Sequence, residues 1–247
     1  MRALTTGLNG TVAPVVADAL RSAGADVVAW DRGADPPSSA EAVDDVIGRV
    51  APDWVVHVAT GPETWAGWIA QACASQRRRL LFTSSASVFR PRPPGGPRIL
   101  PTDAPDATDE YGRYKQRAES LVLGAAPRAL VPRLAWQIGP SPGTNTLDQH
   151  LDRMHAQHGA VEASRQWRPA VAWLSDTANA LVELMVQNAS GVVHLDGNPG
   201  LSMLDLARAL RAYLGTDWSI EPVDSPAEDL LLGGARAFPS VTERLRG

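Results

Sequence analysis

Thr6-Gly7-Leu8-Asn9-Gly10-Thr11-Val12-Ala13 is the stretch whose reading settles the fold. A short apolar run, Ala3–Thr6, precedes it, and an amphipathic run, Thr11–Ala23, follows it and stops at Gly24. Glycines at 7 and 10 permit a tight strand-to-helix turn. They also let the backbone approach a pyrophosphate resting on the helix N-terminus. Ala13 stands at the third small position, where helix and strand pack too closely for a long side chain. A second strand, Asp26–Trp30, leads to Asp31, at the distance along the chain from which a carboxylate reaches a ribose diol. Strand, turn, helix and acidic residue together point to a dinucleotide cofactor. Asp31 favours NAD, whereas Arg32 beside it suits a 2′-phosphate and hence NADP; the sequence leaves both open.

The same alternation continues outward from this turn. Helical patterns at Ala40–Val50, Thr64–Ser75 and Tyr111–Leu123 separate apolar strands at Trp54–Ala59, Leu80–Ser84 and Ala129–Leu134. Strands spaced by helices of this length imply right-handed βαβ units. The fold class is therefore α/β, a Rossmann-type doubly wound parallel sheet. After Gly139 the rhythm breaks. A Pro/Gly loop (residues 140–143) is followed by a polar helix at Thr146–Gln157 and an irregular stretch to Trp173. Then come a helix at Ser175–Gln187, a short strand at Gly191–Leu195, and a helix opened by a Ser202/Asp205 capping box and closed by Gly215. One domain spanning 1–247 is expected, with a cofactor-binding core at 1–140. Residues 141–247 form mainly a small C-terminal substrate-binding lobe on the sheet's edge.

Composition narrows the function classes. A net charge of -4 supplies no electrostatic footprint for nucleic acid. The single cysteine, Cys73, excludes an intramolecular disulfide and a cysteine-based metal knuckle. No apolar run reaches the roughly 18 residues that cross a bilayer, and Met1–Gly10 lacks the apolar core of a signal peptide. A protein of the cytoplasm that engages neither membrane nor nucleic acid is the expectation.

Tyr111-Gly112-Arg113-Tyr114-Lys115 places Tyr111 and Lys115 at i and i+4, on one helical face. A tyrosine near pKa 10 is a poor acid–base group at neutral pH, and a nearby ammonium lowers that value. The run Phe82-Thr83-Ser84-Ser85-Ala86-Ser87-Val88-Phe89 offers a hydroxyl donor at a strand's carboxyl end, where ligands bind in parallel sheets. Ser85, Tyr111 and Lys115 are thus the candidate catalytic set.

YGRYKQRAE (residues 111–119) closely resembles the catalytic helix of the extended short-chain dehydrogenase/reductase family. FTSSASVF resembles that family's serine-bearing strand, and TTGLNGTVA its cofactor turn. The nearest likeness within it is to the dTDP-4-dehydrorhamnose reductase group of sugar-nucleotide reductases. Asp31-Arg32, PDWVVHVA (52–59) and RLAWQIG (133–139) are similar to that group's corresponding segments. The resemblance implies that Tyr111 exchanges a proton with a sugar carbonyl or carbinol. It implies that Lys115 binds the nicotinamide ribose, and that Ser85 holds the substrate oxygen. It further implies that Gly7, Asn9, Gly10, Thr11 and Val12 surround the pyrophosphate, with Ala59 and Thr60 lining the cofactor. Ser87 and Trp136 are candidate substrate contacts, Trp136 by stacking on a base or sugar. The expected partners are NAD or NADP and a sugar nucleotide, and family members often form homodimers. The expected activity is carbonyl reduction. Epimerisation or dehydration of a sugar nucleotide, and a non-catalytic cofactor-binding subunit, are the alternatives.

Two departures favour those alternatives. Ala86-Ser87 replaces the aspartate–tyrosine pair usual in the rhamnose reductases and leans toward the epimerases. The stretch between Ala59 and Leu80 is shorter than is usual, which would leave the cofactor pocket open. Among weaker features, Pro91 to Pro101 is too proline-rich for a helix or central strand and suits a loop, over the substrate pocket or simply on the surface. Asp148, Asp152 and His155 share a helical face, but a solvated face is the better reading and no metal site is expected. Trp65 and Trp68 suit core or interface positions. Arg165 and Arg168 are ordinary surface arginines unless a diphosphate lies near them.

Overall fold

The first four strands and the helices between them lay down the centre of a parallel sheet. The computed structural model describes residues 1–234 and 238–245. In chain order the elements begin β1 (Arg2–Thr6), α1 (Ala13–Ser22), β2 (Asp26–Ala29), α2 (Ala40–Val50), β3 (Trp54–His57), α3 (Glu63–Ser75) and β4 (Arg79–Phe82). They continue with β5 (Ser84–Ser85), a 3₁₀ turn at Ala86–Val88, α4 (Glu110–Ala125), β6 (Leu130–Leu134), β7 (Trp136–Ile138) and α5 (Leu147–His158). The remainder is β8 (Val161–Ser164), β9 (Arg168–Pro169), β10 (Val171–Trp173), α6 (Leu174–Val186), β11 (Gly191–Leu195), α7 (Met203–Leu214), β12 (Ile220–Val223), β13 (Asp229–Leu230) and α8 (Thr242–Leu245).

The main sheet runs β11-β6-β4-β3-β1-β2, with β5 also paired to β6, and every pairing in it is parallel. Period-two alternation builds both faces. Val55 joins Val43, Ile47, Ile69 and Val122 on one side, whereas Trp54 and Val56 join Val16, Leu20, Leu181 and Leu184 on the other. Each fully buried aliphatic side chain contributes about 1.5–3 kcal/mol relative to exposure. Helix starts are chemically marked: Ser39 caps α2, Asp109 caps α4, and Ser202 with Asp205 forms the expected capping box on α7.

Strand order reverses between β1 and β3, since the chain goes outward from β1 to β2 and then returns to β1's other flank. That switch point is where α/β sheets open a crevice at the carboxyl ends of their strands. Here Thr6 Oγ1 accepts hydrogen bonds from Val58 N and Ala59 N, both at 3.1 Å, and so ties the two strand ends together.

Element ends shift by a residue or two in several places, and two differences from the sequence reading have a clear cause. Helix α1 starts at Ala13, not Thr11, because Thr11 and Val12 belong to the turn and Pro14 sits in the first helical positions. The stretch read as irregular before Trp173 contains three strands. β8 pairs with β12, β9 with β13, and β10 with β7. Each is two to four residues long and finds its partner far along the chain, so no local periodicity announces it. Residues 174–195 leave the lobe again: α6 packs beside α1, and β11 pairs with β6 along Gly191–Leu195. A second core, built on Leu147, Leu151, Val161, Val171, Leu206 and Trp218, lies beyond the sheet. No helix among the described residues is long and apolar enough to cross a membrane.

Candidate active site

Two cavities meet at the carboxyl edge of the sheet. The larger, about 820 Å³, is walled by the turn Gly7–Ala13, by Ala29–Gly33 after β2 and by Val58–Thr60 after β3, with Tyr111 at its end. Gly7, Asn9, Gly10, Thr11, Val12, Asp31, Arg32, Ala59, Thr60 and Tyr111 all line it; Lys115 does not. Gly7 has φ +85°, and a Cβ there would lie 2.8 Å from Ala59 N, so only glycine closes this turn against the β3 end. Gly10 N donates to Gly7 O at 2.9 Å. Asp31 turns one carboxylate oxygen inward to accept from Gly33 N at 2.8 Å. The Arg32 guanidinium lies over the Trp65 ring, 5.6 Å from its centroid.

The shortened segment after Ala59 has a visible consequence. α3 begins at Glu63, and Trp65 in its first turn packs edge-on against Trp30 and against His57. Of these three rings only Trp30 lines the larger cavity, and Trp65 belongs to the buried core beneath it. His57 is buried, and desolvation, Lys115 and Arg32 drive its pKa down to about 3. It is therefore neutral, with its Nδ1 facing the Thr6 hydroxyl at 2.9 Å. Because Thr6 Oγ1 already accepts two backbone bonds, its own proton points at His57.

The smaller cavity, about 420 Å³, shares Thr11, Val12, Val58, Thr60 and Tyr111 with the larger one. Ser85, Ser87, Lys115 and Trp136 line it too. Tyr111 thus stands on the seam between the cavities. Its ring is half exposed, whereas Lys115 is 3% exposed beneath it. Ser87 N donates to Ser85 Oγ at 3.1 Å, and Ser85 Oγ lies 3.2 Å from Ser87 Oγ, so the 3₁₀ turn holds Ser85 in place. Helix α4 comes unusually close: a Cβ on Gly112 would lie 2.1 Å from Ser87 O. The buried pair Glu119–Arg133 fastens the helix to β6, with the two nitrogen–oxygen contacts at 2.9 and 2.8 Å. Breaking such a pair costs about 3–5 kcal/mol, because the remaining charge is left buried.

The electrostatics differ from the sequence expectation at one point. Lys115 was expected to lower the Tyr111 pKa. Partial desolvation instead pushes it above its ordinary value; Tyr114 and Asp109 add to the rise, and the Ser85 hydroxyl opposes it. The Lys115 ammonium donates to Thr83 O at 3.0 Å and sits 6.0 Å from the Tyr111 ring centroid. Burial lowers its own pKa to about 8, against the pull of Glu119. The phenol is accordingly protonated at neutral pH.

Several cavity residues escaped the sequence reading: Gln137, Asn145, Trp167, Pro169 and Leu230. Gln137, a polar residue between apolar neighbours in β7, carried the one usable signal. Its Nε2 donates to Ala135 O at 2.7 Å, and its Oε1 is buried without a partner, as is Ser84 Oγ. The other weak features have plain roles. Asp148 accepts from Gly139 N and Asp152 from Trp218 Nε1. Arg165 pairs with Asp224 and Arg168 with the buried Asp229. Residues 91–101 are pinned to the 229–232 segment and line neither cavity.

Comparison with known proteins follows the same lines. The pattern of the RmlD substrate binding domain matches residues 62–230. A dTDP-4-keto-6-deoxy-D-glucose reductase of Streptomyces niveus is 29% identical over 171 residues, 67% of this chain and 56% of that protein. The chain thus aligns with little more than half of that relative. Among solved structures, the dTDP-4-dehydrorhamnose reductase of Bacillus anthracis in complex with NADP superposes with a TM-score of 0.84 at 18% identity, covering 99% of this chain and 96% of that one. The Yersinia enterocolitica dTDP-4-dehydrorhamnose reductase gives 0.82 at 22%, covering 99% and 96%. The Bordetella bronchiseptica enzyme WbmH in complex with NAD+ gives 0.80 at 18%, covering 99% and 95%. At these identities the superpositions speak to the fold.

Proposed function

Since the chain belongs to the RmlD substrate binding domain family, we propose that it is an NAD(P)-dependent reductase acting on a carbonyl of a nucleotide-activated sugar. The observation that carries this reading is the seam, where Ser85, Tyr111 and Lys115 line the cavity that opens into the glycine-turn cavity. The residues present fit a dinucleotide. The turn at Gly7 and Gly10 is bare of side chains, the 820 Å³ space beside it is large enough, and Asp31 and Arg32 stand at its far end. When bound, the nicotinamide supplies the hydride.

The protein's own part is proton supply and positioning. Tyr111, protonated at neutral pH, donates its phenolic proton to the oxygen of the substrate carbonyl as negative charge develops there. Ser85, fixed by Ser87, holds the same oxygen. Lys115, buried and bonded to Thr83 O, supplies a positive charge that stabilises the phenolate left behind. Reduction is preferred over epimerisation because the matched relative is a dTDP-4-keto-6-deoxy-D-glucose reductase. Cofactor choice rests on the two residues after β2. Asp31 keeps one oxygen for a ribose hydroxyl, and Arg32 has no carboxylate partner among the described residues. Both cofactors are therefore to be tried.

Titration with NADH and NADPH, followed by nicotinamide fluorescence, is the test, with Gly10→Trp as the blocked control. Saturable binding that the control loses is expected. With dTDP-4-keto-6-deoxy-D-glucose as the trial substrate, Tyr111→Phe should bind cofactor normally and lose about 10²–10⁴-fold in kcat. Failure of the wild type to bind either nucleotide overturns the reading. Binding without turnover of any 4-keto sugar reduces it to a cofactor-holding subunit.

A further inference from the structure

At the opposite end of the sheet, where β4 and β6 begin, lies a third cavity of about 430 Å³. Cys73, Ala74, Leu80, Ala126, Pro127 and Ala129 make it largely apolar, and every charged residue lining it is an arginine: Arg77, Arg78, Arg79 and Arg128. We propose that this cavity binds a phosphoryl group carried on a small apolar body.

Three of the four arginines are unspent. Only Arg79 has acceptors, donating to Asn188 O at 2.6 Å and Ala189 O at 2.8 Å and covering the Trp54 ring. Arg77, Arg78 and Arg128 have no ion pair or side-chain hydrogen bond among the described residues. Arg78 Nε and Arg79 Nε are buried donors with no hydrogen-bond partner among the described residues. Such groups are costly to leave unsatisfied, so an anion that draws these side chains toward the cavity returns free energy. The charges also repel one another. Burial, with Arg128 adding to it, depresses the Arg79 pKa.

Backbone conformation adds a separate observation. Arg77 holds φ +57°, just after the end of α3, where glycine is the ordinary residue. A side chain kept in the left-handed region at that position delivers a guanidinium to the cavity mouth, which glycine would not do. Guanidinium forks match phosphoryl oxygens in pairs, and a point charge of the same sign would not. The apolar floor then suits the ester's body. Neither feature depends on the proposed reductase activity.

The test is calorimetric unfolding of the full chain at constant ionic strength, about 0.15 M chloride so that general screening is fixed. Inorganic diphosphate and phenyl phosphate are the two probes. The phosphate turn at Gly7–Val12 could also take an anion, so three proteins are compared: wild type, Gly10→Trp, and Arg77→Ala/Arg128→Ala, whose two residues are exposed. The expected result is a saturable rise in Tm for wild type and for Gly10→Trp, with apparent affinity at least about tenfold weaker in the double variant. Phenyl phosphate binding more tightly than diphosphate is expected from the apolar floor; the reverse order overturns the apolar body and with it the proposal. A response that vanishes in Gly10→Trp, or persists unchanged in the double variant, overturns the proposal. So does a flat Tm in wild type. Should the alanine pair fail to fold, Arg77→Lys/Arg128→Lys keeps the charge and loses the fork. It should still bind several-fold more weakly than wild type, and equal binding overturns the proposal.

Discussion

The two cavities that meet at Tyr111 are built by different means. The larger is a backbone construction: the turn at Gly7–Thr11 and the end of β3 at Val58–Thr60 approach each other, and Thr6 Oγ1 holds them there through two amides. The smaller is a side-chain construction. Ser85, Lys115, Trp136 with Gln137, Trp167 and Leu230 come to it from five separate segments of the chain. A backbone cavity is insensitive to most substitutions and intolerant of an added Cβ. A side-chain cavity can be re-cut residue by residue while the sheet stands. One frame can in this way keep its cofactor half and vary what it acts on.

The largest expected effect strikes the joint between the two. Gly112 lies so close to Ser87 O that its alanine must push α4 away from the 3₁₀ turn, carrying Tyr111 and Lys115 with it. Overpacking of this kind costs about 1–3 kcal/mol in stability. A displacement near 1 Å at the reacting groups costs on the order of 10²-fold in kcat. Chemical denaturation and steady-state kinetics on Gly112→Ala check both. Unchanged kcat would show that α4 does not need this approach to set Tyr111.

A second test concerns the lobe's dependence on one buried carboxylate. Asp196 accepts from Val171 N, Asn198 N and Leu232 N, so it ties β10 and the strap that carries Leu230 to the end of β11. Burial nonetheless pushes its pKa up to about 6, against those bonds and Arg98. The folded state therefore binds this proton more tightly than the unfolded chain does. Its contribution to stability should rise as pH falls from above 6 toward 4, by roughly 3 kcal/mol in all. Asp196→Asn should flatten that slope in denaturation curves taken between pH 4 and 8, and an unaltered slope would place the titration elsewhere. No comparable carboxylate holds the cofactor cavity, so its nucleotide affinity should not follow the same curve.

Gly7→Ala probes the backbone half. A Cβ 2.8 Å from Ala59 N, at φ +85°, forces the turn away from β3. Strain of about 2 kcal/mol would appear as roughly 30-fold weaker NAD(P) binding. Under the proposed function, the KM for the sugar nucleotide should stay within about twofold at saturating cofactor, since the smaller cavity does not use Gly7. A matched loss in both constants would mean that the two cavities are not separable.

The contrast also explains what could be read before the fold was seen. The first half announces itself locally. Glycine spacing, strand-helix alternation and the Tyr111/Lys115 spacing each carry their meaning within a few residues, and ten of the eleven residues named for the cofactor line one cavity. The lobe's helices carry such signals, but its short strands and its cavity residues do not. Trp167 reaches the site only because Met203 N bonds its carbonyl and β9 pairs with β13 some sixty residues on. The Tyr111 pKa was misjudged for a related reason. Spacing along a helix reports that Lys115 is near, whereas the direction of the shift depends on burial contributed by the rest of the molecule.

Gln137 offers the finest cut between the halves. Its Nε2 is satisfied by Ala135 O, which leaves Oε1 buried, unpartnered and in the wall of the smaller cavity beside Ser84, whose hydroxyl is likewise unpaired. A buried acceptor of this kind costs folding free energy that a bound hydroxyl would return. Gln137→Leu removes it at nearly constant volume, so stability should change by no more than about 1 kcal/mol and in either direction. Under the proposed function, the sugar nucleotide's KM should rise about five- to tenfold with kcat unchanged, the mark of a contact made equally in ground and transition states. Cofactor binding should not move at all. A fall in kcat would tie Gln137 to the reacting oxygen instead, and an unchanged KM would leave its amide as a strand-internal bond to Ala135 and nothing more.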